Sequence, residues 1–251
     1  MKYYIASCVF TAQFPELSKR IQDYVHDRFD LKVVRCCVPS YKIKEFEDRM
    51  PDEKSRAHWA SLPDSGHFQA GDVVYSLCHN CNNIIDEVHT GVEVHSLWEL
   101  LDSDEHFPLP DLSGMKAVLQ DCWRSRDRAD EQAAVRSLLR KMHVVFTEAP
   151  HHHTETDFCG ISLLRPQPPR NPKLAPRHYV DGTEGLFEPH TPEEQERIMQ
   201  EYVAGLAGQT ALTETAGGAT PPTVICYCHY CLEGLKLGGA DAHHLAALMF
   251  A

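Results

Sequence analysis

Cys78 and Cys81 stand in "CHNC", Cys228 and Cys231 in "CHYC", and in each the residue after the first cysteine is a histidine. Paired thiols at this spacing bind soft metal ions, exchange disulfides or act as nucleophiles. Cys8, Cys36, Cys37, Cys122, Cys159 and Cys226 complete a set of ten in 251 residues. An even count fits either a disulfide framework or a set of thiolate ligands, so the compartment decides. The opening "MKYYIASCVFTAQFPELSKR" lacks the sustained apolar run and small-residue cleavage site of a signal peptide, which makes a cytoplasmic protein the expectation. In a reducing compartment clustered cysteines serve metal binding or catalysis more often than cross-linking. No stretch approaches the apolar length of a membrane span, so no direct membrane insertion is expected.

Charge removes another class. A net charge of -12 leaves no basic surface for a phosphate backbone, and no nucleic-acid partner is expected. With 43% hydrophobic residues the chain buries a core without disulfide staples. Its cysteines are therefore available for chemistry.

The elements that must position them repeat. "KYYIASC" is an apolar strand ending at Cys8, and "ELSKRIQDYVHDRF" places Leu17, Ile21, Tyr24 and Val25 on one helical face. "LKVVRCC" delivers Cys36 and Cys37. A polar, helix-compatible stretch through "DEKSRAHWASL" precedes the strand "DVVYSLC" to Cys78, and a helix starts across Cys81. From "GMKAVLQDC" the order returns: a strand to Cys122, the helix "RADEQAAVRSLLRKM", the strand "HVVFTEA", then "DFCG" with Cys159, and finally "TVICYC" with the second Cys-His-x-Cys. Alternating strands and helices predict an α/β fold of two similar small units with short parallel sheets and cysteines at strand ends, where such sheets carry function. The halves run over residues 1–112 and 113–251, with an insertion at about 165–222 in the second. The Pro-rich start of that insertion reads as an extended surface loop. "TPEEQERIMQEYVAGLAG" reads as a helix with Thr191 as N-cap and Ile198, Tyr202, Val203 and Leu206 on its apolar face, and "GQTALTETAGGATPP" as a mobile stretch.

Thiolates drawn from separate segments suit iron-sulfur clusters, and four cysteines without an open position also suit structural zinc. Cys81 and Cys231 lie near helix starts, where the dipole favours a thiolate.

The order of a lone Cys, a Cys-Cys pair and a Cys-x-x-Cys, present twice, resembles the CCG-domain proteins, which are similar to the B subunit of heterodisulfide reductase. The resemblance covers nearly the whole chain. It implies that Cys8, Cys36, Cys37, Cys78 and Cys81 hold a noncubane [4Fe-4S] cluster, and that the protein is a redox subunit reducing a disulfide-type substrate or relaying electrons. It also implies a partner with ferredoxin-type iron-sulfur clusters or flavin, since the chain shows neither a ferredoxin cysteine run nor a GxGxxG after a strand.

Two departures separate the halves. The first reads "CCVP", so Val38 takes the place of the family's usual glycine and must tolerate the bend. The second reads "FCG", with Phe158 where the first cysteine of the pair would be. That leaves Cys122, Cys159, Cys228 and Cys231 as the second ligand set, with Cys226 or His153 as a candidate addition, for a second iron-sulfur cluster or zinc. His151 and His152 share the exposed "HHH" loop. His79 and His229 are read as solvent-facing or as donors to a cluster sulfur. Asp121 and Arg124 flank Cys122 and are placed to tune its charge or cap the next helix. Trp59, Trp98 and Trp123 are packing residues. The alternative to a redox subunit is a non-catalytic zinc or iron-sulfur protein with a structural, sensing or assembly role.

Overall fold

A computed structural model describes residues 1–66, 68–209 and 221–251, so most of "GQTALTETAGGATPP" lies outside the described residues. The chain divides into two units, the first comprising Met1–Leu100, Arg170–Tyr179 and Phe250, the second Leu101–Pro169, Val180–Met249 and Ala251.

Unit 1 is built on β1 (Lys2–Ala6), β2 (Lys32–Arg35), β3 (Val73–Ser76) and β4 (Glu93–Ser96), all parallel, in the order β2-β1-β3-β4. Tyr3 of β1 faces Lys32 on one side and Val74 on the other. Tyr3, Tyr4, Ile5 and Ala6 are all buried, as a central parallel strand covered on both faces requires. Its helices are α1 (Cys8–Gln13), α2 (Pro15–Phe29), α3 (Ile43–Asp48), α4 (Glu53–Ser61), α5 (His79–Val88) and α6 (Leu97–Asp102), whose last two residues pass into unit 2. α2 shows why the periodicity was legible: Pro15 opens it, Leu17, Ile21 and Val25 are buried at four-residue intervals, and Asp30 ends it in the left-handed region at φ 54.

Unit 2 repeats the pattern. β5 (Lys116–Gln120), α7 (Ala129–Lys141) and β6 (Val145–Glu148) come first. The chain then returns to unit 1 as α8 (Arg170–Leu174) and α9 (Pro176–Tyr179), before α10 (Pro192–Gln209), β7 (Thr223–Cys226), α11 (His229–Leu237), β8 (Asp241–His244) and α12 (Leu245–Met249) complete unit 2. Its sheet has the order β6-β5-β7-β8, again all parallel.

The Pro-rich start of the insertion is irregular and largely exposed only over residues 165–169; from Arg170 it turns helical and partly buried. Pro172 falls in the first turn of α8 and Pro176 opens α9, positions where a missing N–H leaves no helical bond unmade. Asn171, Ala175, His178 and Tyr179 are buried. α10 begins with a reciprocal cap, the Glu194 amide donating to Thr191 Oγ1 at 3.2 Å and the Thr191 amide to Glu194 Oε2 at 2.8 Å. Met199, Val203 and Leu206 are its buried residues, with Tyr202 and Ile198 half-buried beside them.

In both sheets the connections after the two central strands leave in opposite directions. Open α/β sheets bind ligands at the carboxyl ends of strands beside that switch point. Cys8 follows β1 and Cys78 follows β3, its neighbour; Cys122 follows β5 and Cys228 follows β7 in the same relation.

Candidate metal centres

In unit 2 the ligand atoms of Cys122, Cys159, Cys228 and Cys231 all lie within 4.8 Å of one another, and all four residues are buried. Cys122 caps a single 3-10 turn over Trp123–Ser125, Cys159 caps another over Gly160–Leu163, and Cys228 caps α11, whose first turn carries Cys231. Cys122 and Cys159 approach to 3.4 Å between sulfurs. A tetrahedral ion with metal–sulfur bonds of about 2.3 Å places its sulfurs about 3.8 Å apart, so this donor set could hold a metal after shifts of about an ångström or less. None of the ten cysteines is in a disulfide.

Cys226 and His153 fall outside this group. Cys226 lies within β7, fully buried, with its Sγ 3.7 Å from the Cys228 carbonyl, and burial, seconded by Cys228, pushes its thiol well up. His153 is engaged elsewhere: its amide donates to Asp121 Oδ2 at 2.7 Å, and its Nδ1 lies 2.6 Å from that of His152. His151, at the exposed end of the run, pairs with Asp157 at 2.6 Å.

The two residues flanking Cys122 diverge. Asp121 turns away to a buried network, receiving Arg136 at 2.7 Å and the Tyr227 hydroxyl at 2.6 Å. Burial works against its charge, but these partners outweigh it and hold the carboxyl below the usual range. Arg124 turns to the thiols, its guanidinium donating to Cys159 Sγ at 2.6 Å and to Ser162 Oγ at 2.8 Å. Burial opposes the Cys159 thiolate, yet the neighbouring sulfurs of Cys122 and Cys231 and the charge of Arg124 bring its thiol below the ordinary value. Burial and the adjacent sulfurs raise Cys122 and Cys231.

Backbone contact seals this centre. Gly160 has φ +55, and a Cβ there would lie 2.1 Å from the Tyr230 carbonyl oxygen. Phe158, the residue before Cys159, stacks on Tyr202 of α10, with ring centroids 4.2 Å apart. Tyr202 in turn donates to Gln120 Oε1 at 2.5 Å.

In unit 1 the five thiols occupy the equivalent strand ends but no compact group of three or more forms among them. Cys8 and Cys36 touch, 3.2 Å apart, against an apolar cluster of Ala6, Phe46, Met50, Trp59 and Leu62. Cys37 and Cys78 both contact Cys81. The contact with Cys36 comes first, ahead of burial, in raising Cys8; for Cys81 the contacts with Cys37 and Cys78 come first. Cys37 is lowered, by the hydrogen bond from Cys81 and, against the effect of burial, by the charge of Arg170. The bend expected at Val38 occurs at Cys36 instead, which takes φ 63, while Val38 keeps an ordinary φ.

Both Cys-His-x-Cys histidines are buried, His79 at 2% exposure and His229 at 4%, so neither faces solvent. Each is the first residue of a helix whose N-terminus sits under the sheet's carboxyl edge. The three tryptophans are buried packing residues, as expected. Arg170, Tyr41 and Ser162 surround the thiols without any sequence signal. Only Arg124, next to Cys122, was marked by its position.

No helix among the described residues is long and apolar enough to cross a membrane. No family model, curated protein or solved structure matches the chain.

Proposed function

We propose that the protein is an iron-sulfur redox subunit, resembling the B subunit of heterodisulfide reductase, that carries its main centre on Cys8, Cys36, Cys37, Cys78 and Cys81. The observation that supports this reading is the placement of nine cysteines, none disulfide-bonded, at equivalent strand ends of two sheets of identical order. A metal-free redox enzyme of the thioredoxin type needs two thiols, and a second set at the same switch point has no use there.

Five thiols exceed the four that a single tetrahedral ion takes, so Cys8, Cys36, Cys37, Cys78 and Cys81 would suit a polynuclear, noncubane [4Fe-4S] cluster better than one ion. Such a cluster supplies one-electron chemistry when bound. The chain's own residues have separate tasks. The apolar cluster under Cys36 excludes water from one side, and the starts of α5 and α11 direct their positive ends at Cys81 and Cys231. The electron source is a ferredoxin-type or flavin-containing partner, and the substrate is a disulfide-type compound or the next carrier in a relay.

A second reading applies to unit 2 alone. Its four thiols within 4.8 Å fit a single tetrahedral ion, zinc or iron, with a structural role. The test is anaerobic purification with iron, sulfide and zinc measured per chain, repeated on Cys37→Ala and Cys159→Ala. Loss of iron and sulfide together in Cys37→Ala supports the cluster. Zinc in both units with a colourless protein overturns the redox reading in favour of the structural one.

A further inference from the structure

Glu87, on α5, is half-buried with its side chain only 6% exposed, and three donors converge on it from the segment Arg170–Tyr179. His178 Nδ1 lies 2.5 Å from Oε1, the His178 amide 3.1 Å from the same oxygen, and the Arg177 amide 3.1 Å from Oε2. Arg177 also pairs with Asp86 at 3.3 Å, and the Tyr179 hydroxyl donates to Asn80 Oδ1. Asn80 stands between Cys78 and Cys81, so α9 is fastened to the thiol-bearing turn itself.

The other end of the segment carries Arg170. Its guanidinium lies 3.8 Å from the ring centroid of Tyr41, whose carbonyl faces Cys36 Sγ at 3.8 Å. Its Nε–H is buried and has no hydrogen-bond partner, and both amide atoms of the adjacent, fully buried Asn171 are likewise unpartnered. An unmade buried donor is rare in folded proteins, so the Arg170 Nε–H, on a side chain packed against Tyr41 of the thiol-bearing loop, marks a missing acceptor. Unit 2 shows what that acceptor is. There Arg124 donates to the sulfur of Cys159, which stands in "FCG" where Cys37 stands in "CCV".

The geometry points to Arg170 as the fixed counter-charge and hydrogen-bond donor of the first centre, held in place by the strap that Glu87 anchors. It is a positioning residue for that centre. The inference rests on the reading that the thiols of unit 1 bind a sulfur-ligated metal. A guanidinium beside several thiolates stabilises the more negative, reduced state and favours thiolate over thiol in the metal-free protein. The Nε–H donates to a coordinating sulfur.

Two measurements on the full chain test this, one with iron and one without. After anaerobic reconstitution, Arg170→Gln shifts the one-electron reduction equilibrium about tenfold toward the oxidised state, which is 59 mV. Arg170→Lys, which keeps the charge but not the planar donor, recovers part of that shift. In metal-free protein, cadmium titrated by its thiolate charge-transfer absorption binds unit 1 about tenfold more weakly in Arg170→Gln, with Cys159→Ala as the background that silences unit 2. Glu87→Gln, remote from the thiols, weakens both effects in the same direction by loosening the strap. If the wild-type protein takes up no iron and sulfide, the cluster reading fails and the cadmium series alone decides on Arg170. Equal cadmium affinity in Arg170→Gln and wild type, with matching circular dichroism, overturns the inference; so does an unchanged potential at full iron content.

Discussion

At the strand ends of unit 2 four thiols lie within 4.8 Å of one another under a stacked Phe158, whereas in unit 1 the five thiols form no such compact group and Cys8 touches Cys36 at 3.2 Å. The sheets beneath them have the same order and the same switch point. The difference therefore arises from single residues laid on a common frame. Phe158 stands where unit 1 has Cys36 and supplies a ring for α10 to cover, and Gly160 lets α11 close to backbone contact. Unit 1 has a second cysteine where unit 2 has the ring, and the left-handed residue precedes Cys37 instead of following Cys159. Both units nonetheless lower the thiol at the matching position, Cys37 or Cys159, with a guanidinium nearby. Arg124 comes from the turn next to Cys122, Arg170 from a segment far along the chain.

The largest effect should come from removing a ligand of the compact site. Cys159→Ala leaves three thiols and takes from Arg124 its sulfur partner while Ser162 remains, and we expect unit 2 to lose its metal and at least about 4 kcal/mol of stability. The metal of unit 1 should remain, and simultaneous loss from both units would break the comparison. Gly160→Ala comes next. Its Cβ would meet the Tyr230 carbonyl at 2.1 Å in a left-handed residue, so about 3 kcal/mol should be lost in denaturant unfolding. A cost under 1 kcal/mol would show that α11 can withdraw.

Phe158→Cys sharpens the comparison from the other side. Without metal the variant should be less stable by about 2–3 kcal/mol, because the ring that stacks on Tyr202 is gone. With metal, unit 2 should take up more iron and come to resemble unit 1 spectroscopically. An unchanged spectrum and metal content would mean the fifth thiol is not what distinguishes the two centres. The smallest effect is local and pH-dependent. Burial opposes the charge of Glu87, but His178 and the two strap amides outweigh it and hold its carboxyl below the usual range. Because the folded value is depressed, the contribution is complete above the unfolded value of about 4.3 and is lost as pH falls through the folded one. Hydrogen exchange in residues 170–179 should accelerate in that acid window before the rest of unit 1 does. Glu87→Gln should cost about 1–2 kcal/mol at neutral pH and abolish the dependence. Uniform exchange across unit 1 would show that the strap is not a separate element.

Much of the frame could be read in the sequence because parallel strands buried on both faces are short apolar runs, and "KYYIA", "KAVLQ" and "TVIC" contain little else. The ligand candidates were legible for the same reason, each following such a run. The strap was not. "RNPKLAPRHY" has the prolines of a loop, and its burial depends on Glu87 and Asn80, some 90 residues earlier, which no local pattern reports. His79 and His229 were misjudged likewise, since a histidine at a helix start is polar by type and its burial is set by tertiary packing that no local pattern reports.

That distance along the chain also bears on biosynthesis. The last strand of unit 1 ends at Ser96, but its strap is not complete until Tyr179 has been made, and Phe250 of the same unit follows later still. At 5–20 residues per second the interval is roughly ten seconds, during which the first four strands can pair while Cys37 and Cys81 lack Arg170 and Tyr41 lacks its cover. Closure of the strap is thus a late event in the life of the nascent chain. Until then the thiol-bearing loop of unit 1 lacks the cover that Arg170 gives Tyr41.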